Sequence, residues 1–505
     1  MIDTTVLQGA LQLFDAGLFM YIALGIILGM IFGALPGMST PLALALMLLP
    51  SFYMGPVAAL VFLSSVYTGS VYGGGITAVL FNIPGTPGAL ATTFDGYPMT
   101  KQGRQSEALG IGLASSVFGM LLSYSVILLF MMPIAGLVLR FGPPEMLMLV
   151  LFSLAVIGFV GGNLLKSLIA GTFGLLIGLI GTDGMLGMPR GTFGFFELIE
   201  GVPIIPVLVG LFAFSELIFL IQRRFIVDEY KSQSMLQMAG GVLTGFVSVW
   251  RYKATALISS VIGVIVGLLP AAGGTLSALI AYARVSRKDP EGFGTGREEG
   301  VVAPEAANNA SEAGAMATMM AFGIPGSGAT AVLISAFMIH GLNPGPYLMR
   351  QSMDVVYVIL LSNFVQAVVL LLFGMLFVGL LCRVVLVPTA IVIPLVAVSA
   401  VIGTLALRNS IIDLWIALAF GVIGYLMRRA SYPLIAMVLG IVLGNMLEEE
   451  FIRTWQLFSF RPMELFNRPI FVGLLVVTVA FALAPAAQAL WRRRRGMILP
   501  RPGAD

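Results

Sequence analysis

The sequence predicts an all-α polytopic membrane protein: two inverted-topology repeats with re-entrant hairpins and discontinuous helices, plus an extra C-terminal helix. Three observations predict it. The composition is too apolar for a soluble domain, a helix-breaking motif occurs twice within an internal repeat, and lysines and arginines alternate sides along the chain. The 505 residues are 58% hydrophobic and 10% charged, with a mean hydropathy of +1.01. Many apolar runs reach the roughly 20 residues that a helix needs to cross a bilayer. A β-barrel is excluded, because its strands alternate over about ten residues and do not run unbroken. The lone Cys382 excludes internal disulfides and thiolate clusters, and the lone His340 leaves no histidine-based metal site. No Walker loop or nucleophile elbow is present, which argues against an enzyme. The net charge of +3 sits in loop arginines and predicts no nucleic-acid partner. The acidic start MIDTTVLQGALQLFD lacks the basic region of a cleaved signal peptide.

The repeat is read from matched residues. Ser70, Gly73, Thr77, Phe81, Ile83, Pro84, Gly85 and Thr86 align with Ser311, Gly314, Thr318, Phe322, Ile324, Pro325, Gly326 and Ser327 at one constant offset. Upstream, GMIFGALPG (Gly29 to Gly37) pairs with GVIVGLLPA (Gly263 to Ala271) at a slightly shorter offset, which an insertion in the charged loop Arg284 to Gly300 accounts for.

Charge then orients the halves. No Lys or Arg precedes Lys101, so the N-terminus and the turn Pro50 to Pro56 are expected outside. Arg251 and Lys253 before the second-half counterpart, and Arg284, Arg287 and Lys288 after it, place both of its flanks in the cytoplasm. A segment with both ends on one side is a re-entrant hairpin, with tips near 36–40 and 270–275. Two ordinary short helices are the plainer alternative. Spans follow at 107–139, 144–161, 163–183 and 203–222, then at 352–382, 386–406, 410–427, 431–447 and 468–490. The chain thus divides into a first repeat (1–222), a cytoplasmic linker (223–253), a second repeat (254–447) and a C-terminal part (448–505) holding an external loop, the last helix and a basic cytoplasmic tail.

Each Ile-Pro-Gly motif, near 82–88 and 323–329, should unwind its helix, because proline removes a donor and glycine relaxes the backbone. Freed backbone groups cannot face lipid and must line protein or a wet cavity, where helix N-termini attract anions and carbonyls attract cations. The expected substrate residues are Ser39, Thr40, Asn82, Pro84, Gly85 and Thr86, with Gly274, Thr275, Asn308, Asn309, Pro325, Gly326 and Ser327. The expected cation residues are Gly37, Ser70, Thr77, Gly273, Ser311 and Thr318. Hydroxyls in membrane helices often bond only their own backbone, which is the simpler reading of any one of them. No arginine lies near the breaks in sequence, so the anion would rest on helix N-termini and hydroxyls. Asp95, Lys101 and Arg104 are read as anchors of a helix end, Glu305 and Glu312 as a solvated helix start, Glu448 to Phe451 as an external loop, and Trp491 to Arg495 as an interfacial anchor.

The stretches GALPGMSTPLALALMLLP, YTGSVYGGGITAVLFNIPGTPGALATTFDGYPM and PEAANNASEAGAMATMMAFGIPGSGATAVLISAFMIHGLNPGP together resemble the large membrane subunit of tripartite tricarboxylate transporters, across essentially the whole chain. The resemblance implies a multi-pass secondary transporter of the bacterial inner membrane for carboxylates, citrate among them. It also implies two partners, a small four-helix membrane subunit and a periplasmic solute-binding protein. A stand-alone cation-coupled carboxylate carrier is the alternative, and a channel a more distant one. No cofactor is expected beyond a coupling ion. Neutral oxygens around both breaks favour sodium, as does the resemblance, while Glu305, Glu312 and Asp413 keep a proton alternative open.

Overall fold

The computed structural model describes residues 16–35, 38–160, 163–182, 187–221, 235–384, 387–408 and 410–494. The first hairpin tip at Pro36-Gly37, residues 223–234 of the linker and the end of the basic tail lie outside them. The first half runs α1 (Ala16–Ala34), α2 (Thr40–Ser51), α3 (Pro56–Phe81), α4 (Thr93–Lys101), α5 (Gln105–Val138), α6 (Pro143–Val160), α7 (Leu164–Gly178) and α8 (Ile204–Ile221). The second runs α9 (Met235–Ser248), α10 (Lys253–Gly267), α11 (Gly273–Ser286), α12 (Glu299–Phe322), α13 (Gly328–Ile339), α14 (Pro346–Gln351), α15 (Met353–Val384), α16 (Thr389–Arg408), α17 (Ile411–Arg429) and α18 (Leu434–Phe458), followed by α19 (Pro469–Arg494). Among the described residues, seven helices are long and apolar enough to cross a membrane. The polytopic all-α expectation therefore stands.

The centre of the molecule is α3 and α12, each buried along nearly its whole length. Neither is strongly apolar. Both are rich in Gly, Ala, Ser and Thr, which suits helices enclosed by other helices at close range. Glycine makes that approach possible. A methyl group on Gly29 would lie 2.3 Å from the Val66 carbonyl oxygen, and one on Gly33 would lie 2.2 Å from that of Ser70. In the second half a methyl on Gly263 would lie 2.4 Å from the Ala307 oxygen, and one on Gly267 would lie 2.2 Å from that of Ser311. These are the same contacts at matching repeat positions, so α1 packs on α3 as α10 packs on α12.

Both breaks fall where the motif placed them. α3 ends with Asn82 in the left-handed region (φ 58°) and α12 with Gly323 likewise (φ 71°). Pro41 and Pro56 sit in the first turns of α2 and α3, where the missing N–H costs no helical bond.

The polar links between helices join segments that charge assigns to one face. Arg104 pairs with Glu298 at 3.0 Å, Thr255 donates to Glu299 at 2.6 Å, and Lys166 donates to the Ala430 carbonyl at 2.7 Å, all on the expected cytoplasmic side. Arg190 pairs with Glu448, and Arg468 with Glu145, each at 2.6 Å, on the opposite side.

Several expectations need correction. Glu448 to Phe451 is no external loop, because α18 continues through it to Phe458, stabilised by the Glu448–Arg190 pair and by Arg453 with Glu449 and Glu450. α12 begins at Glu299, so Glu305 and Glu312 lie deep in the helix, each 1% exposed, and not at a solvated start. Asp95 is fully buried rather than interfacial. It accepts from the backbone N–H groups of Gly294, Gly296 and Arg297 and from the Tyr282 hydroxyl, each at 2.9 Å, which pins the α11–α12 loop under the first break. Two features went unread: a short ribbon pairing Gly181–Thr182 with Pro189–Arg190, and a π-helical stretch at Val209–Phe214 inside α8.

Candidate functional site

A cavity of about 460 Å³ lies between the two halves. From the first half, Ser39, Thr40 and Thr86 line it. From the second come Gly273, Gly274, Thr275, Asn308, Ser311 and Ser327. Three helices start at this wall: α2 at Thr40, α11 at Gly273 and α13 at Gly328. α2 and α11 have no side-chain cap, so the first N–H groups of α11, and those of α2 other than at Pro41, are not taken by a capping side chain. Ser327 caps α13 through a reciprocal pair with Thr330. Helix N-termini carry partial positive charge, and their convergence gives this wall the donors that suit an anion. Two buried polar atoms add to it, because neither the Asn308 Nδ2 nor the Thr86 Oγ1 has a hydrogen-bond partner.

Other expected residues stand behind the wall. Ser70 donates to the Thr40 hydroxyl at 3.1 Å and so orients a lining residue. Thr77 bonds its own helix at the Gly74 carbonyl (3.3 Å). Thr318 bonds the Leu268 carbonyl (3.0 Å) and that of Gly314 (3.1 Å). Asn309 turns away from the cavity and donates to Ser116 Oγ at 2.8 Å and to the Glu305 carbonyl at 3.0 Å. Gly85 and Gly326 are packing positions: methyls there would lie 2.2 Å from the Gly33 oxygen and 2.9 Å from the Gly267 oxygen. Pro84 and Pro325 shape the breaks without lining the cavity, and the Pro325 carbonyl accepts from Ala271 N at 3.4 Å. Asn82 is exposed at the end of α3, away from the cavity. Gly37 lies outside the described residues.

Two lining residues were missed. Tyr67 forms part of the wall, its hydroxyl 3.2 Å from that of Ser327. The repeat offset could have found it, since Tyr67 occupies the position of Asn308. Arg428 also lines the cavity, held by an ion pair to Glu216 and set over the Phe219 ring at 5.4 Å. A cation therefore does border the site, reaching it from a helix end distant in sequence.

Together these features define a polytopic membrane protein whose central helices break around a cavity, largely apolar in lining but edged by hydroxyls, an amide and helix N-termini. The chain belongs to the tripartite tricarboxylate transporter TctA family, which matches residues 19–439. It is 30% identical over 471 residues, covering 92% of this chain and 93% of the relative, to an uncharacterised 52.8 kDa protein in the TAR-I ttuC' 3' region of Agrobacterium vitis. It is 28% identical over 232 residues, 45% of this chain and 96% of the relative, to an uncharacterised protein in the TAR-II ttuC' 3' region of the same organism. No solved structure matches the chain.

Proposed function

We propose that the chain is the membrane permease of a binding-protein-dependent secondary transporter, carrying a tricarboxylate or related carboxylate through this cavity in the bacterial inner membrane. The observation that carries the reading is the convergence of three helix N-termini with the unpaired Asn308 amide on one cavity. Such a wall offers N–H donors and positive potential to a polyanion without requiring a fully buried cation. The matched glycine contacts of α1–α3 and α10–α12 support a repeated architecture, in which we read α1–α2 and α10–α11 as re-entrant hairpins of two inverted halves. Arg428 sits at the end of α17 that charge assigns to the cytoplasm, which supports a cavity open to that side. The small membrane subunit and the periplasmic binding protein complete the assembly and deliver substrate from the opposite face.

Sodium is the proposed coupling ion, held by neutral oxygens beside the substrate wall. A proton is the second reading, favoured by the burial of Glu305 and Glu312. The test is reconstitution of the purified chain in liposomes, alone and with the small subunit and binding protein, against a panel of labelled carboxylates. An imposed sodium gradient at fixed pH is compared with a pH gradient lacking sodium. Uptake is expected only with all three components. Saturable uptake by the chain alone replaces the tripartite reading with a stand-alone carrier.

A further inference from the structure

Among the described residues, Arg428 is the one charged side chain that lines the cavity. Close backbone packing sets its helix. Methyls on Gly421 and Gly424 of α17 would lie 2.6 Å and 2.9 Å from the Cβ atoms of Phe214 and Ser215 on α8, and one on Gly210 of α8 would lie 2.4 Å from the Ala417 carbonyl oxygen. This contact brings the buried Glu216 to the guanidinium as an ion pair and sets Phe219 against it. Just past Arg428 the chain turns sharply. Ser431 adopts the left-handed region (φ 56°), with Ser431 N donating to the Arg428 carbonyl at 3.0 Å and Tyr432 N to that of Met427 at 2.7 Å. The turn starts α18 beside the end of α17, and Leu434, Ile435 and Ala436 of its first turn also line the cavity. α18 has no side-chain cap, so a fourth helix N-terminus accompanies the cation.

Glu216 does not exhaust Arg428. A guanidinium carries five N–H donors in a planar fork that matches a carboxylate. Among the described residues, Glu216 is its only hydrogen-bond partner, engaged through Nη1, so Nε and Nη2 hold no protein acceptor. The neighbouring cation is committed elsewhere: Lys166 donates to the Ala430 carbonyl at 2.7 Å and lies over the Tyr432 ring at 5.4 Å. The free donors of Arg428 therefore border a cavity of about 460 Å³, larger than one carboxylate group fills.

We propose that Arg428 is a specificity-determining residue of the permease. It binds a second carboxylate of a substrate whose first is held by Asn308 and the helix N-termini of the wall, and so favours di- and tricarboxylates over monocarboxylates. A monocarboxylate satisfies one pole only, whereas a molecule that reaches both gains the second contact intramolecularly. Glu216 is a positioning residue: it holds the guanidinium at the lining and offsets its charge while the cavity is empty. This inference rests on the transport reading above.

The test titrates butanoate, succinate and propane-1,2,3-tricarboxylate onto the purified full-length permease by calorimetry, with melting temperature as the folding control. The wild type should bind succinate and the tricarboxylate more tightly than butanoate. Arg428→Gln should lower the ratio of tricarboxylate to butanoate affinity about tenfold, the low end for a hydrogen bond to a charged partner because the side chain is 34% exposed. Arg428→Lys keeps the charge without the fork and should lower the ratio severalfold, which carries the test if Arg428→Gln does not fold. Glu216→Gln breaks the same ion pair but leaves the donors that meet substrate, so its ratio should match or exceed that of the wild type. A wild-type ratio in a folded Arg428 variant overturns the inference. So does an equal fall in Glu216→Gln and Arg428→Gln, which would make Arg428 a structural partner of Glu216 alone. A wild-type permease that binds none of the three acids overturns the transport reading itself, a result distinct from both.

Discussion

Asn308 is clamped between two glycines from different halves, which makes Gly274→Ala a sharp perturbation. A methyl on Gly274 would lie 2.0 Å from the Asn308 Oδ1, and one on Gly88 would lie 2.1 Å from the same atom. Contacts under 3.0 Å are essentially never seen for a real Cβ, so the amide must retreat by an ångström or so in either variant. A side-chain end can move, so the fold should survive, but the unpaired Nδ2 no longer points where the cavity needs a donor. A hydrogen bond to a charged partner is worth about 1.5–3 kcal/mol, which corresponds to roughly 10- to 150-fold in affinity. The readout is the concentration dependence of uptake by the reconstituted assembly, with melting temperature as a control for folding. Gly274→Ala and Asn308→Ala should each weaken apparent affinity by that factor. The double variant should be no worse than Asn308→Ala alone, because the clash has lost its target. Additive losses, or wild-type affinity in Gly274→Ala, would refute the argument.

Asn82→Ala should cost about 1–2 kcal/mol through its left-handed backbone, whereas Asn82→Gly should melt and transport like the wild type. Loss of uptake in a stably folded Asn82→Gly would restore the amide to the site. Asp95→Ala strands three backbone N–H groups at about 1–3 kcal/mol each, so its melting temperature should fall by several degrees and the loop Asp289–Arg297 should become protease-sensitive. In a Cys382→Ser background, single cysteines in 223–253 and 284–300 should label from the cytoplasm and those in 50–56 from the periplasm. Labelling of 251–253 and 284–288 from opposite faces would sink the hairpin reading.

The helices, the breaks and much of the cavity wall were legible because each leaves a local mark. Hydropathy marks spans, Pro-Gly marks unwound backbone, and a repeated motif marks both at once. Ser39, Thr86, Asn308 and Ser327 come together because each sits at an interrupted helix end. What stayed hidden depends on partners far along the chain. Glu305 and Glu312 read as solvated because a charge lowers local hydropathy, yet Thr92, Ser116 and Thr68 enclose them. Arg428 is, in the sequence, only a charge at a helix end far from both breaks, until Glu216 and Phe219 hold it at the cavity. Asn82 misled in the other direction: an amide beside a break suggests a ligand, but asparagine also tolerates the left-handed conformation that ends a helix.

The glycine contacts also show which helices are locked to one another. α5 belongs to the first half, yet a methyl on its Gly119 would lie 2.3 Å from the Ala306 carbonyl oxygen on α12 of the second. α15 belongs to the second half, yet its Gln366 is bonded to Thr68 on α3 of the first. Each half has thus lent its long helix to the other's broken one. A chain cut in the linker would yield two fragments with their central helices half-clad, dependent on one another to assemble. The tightest packing of this molecule thus crosses the boundary between its two halves.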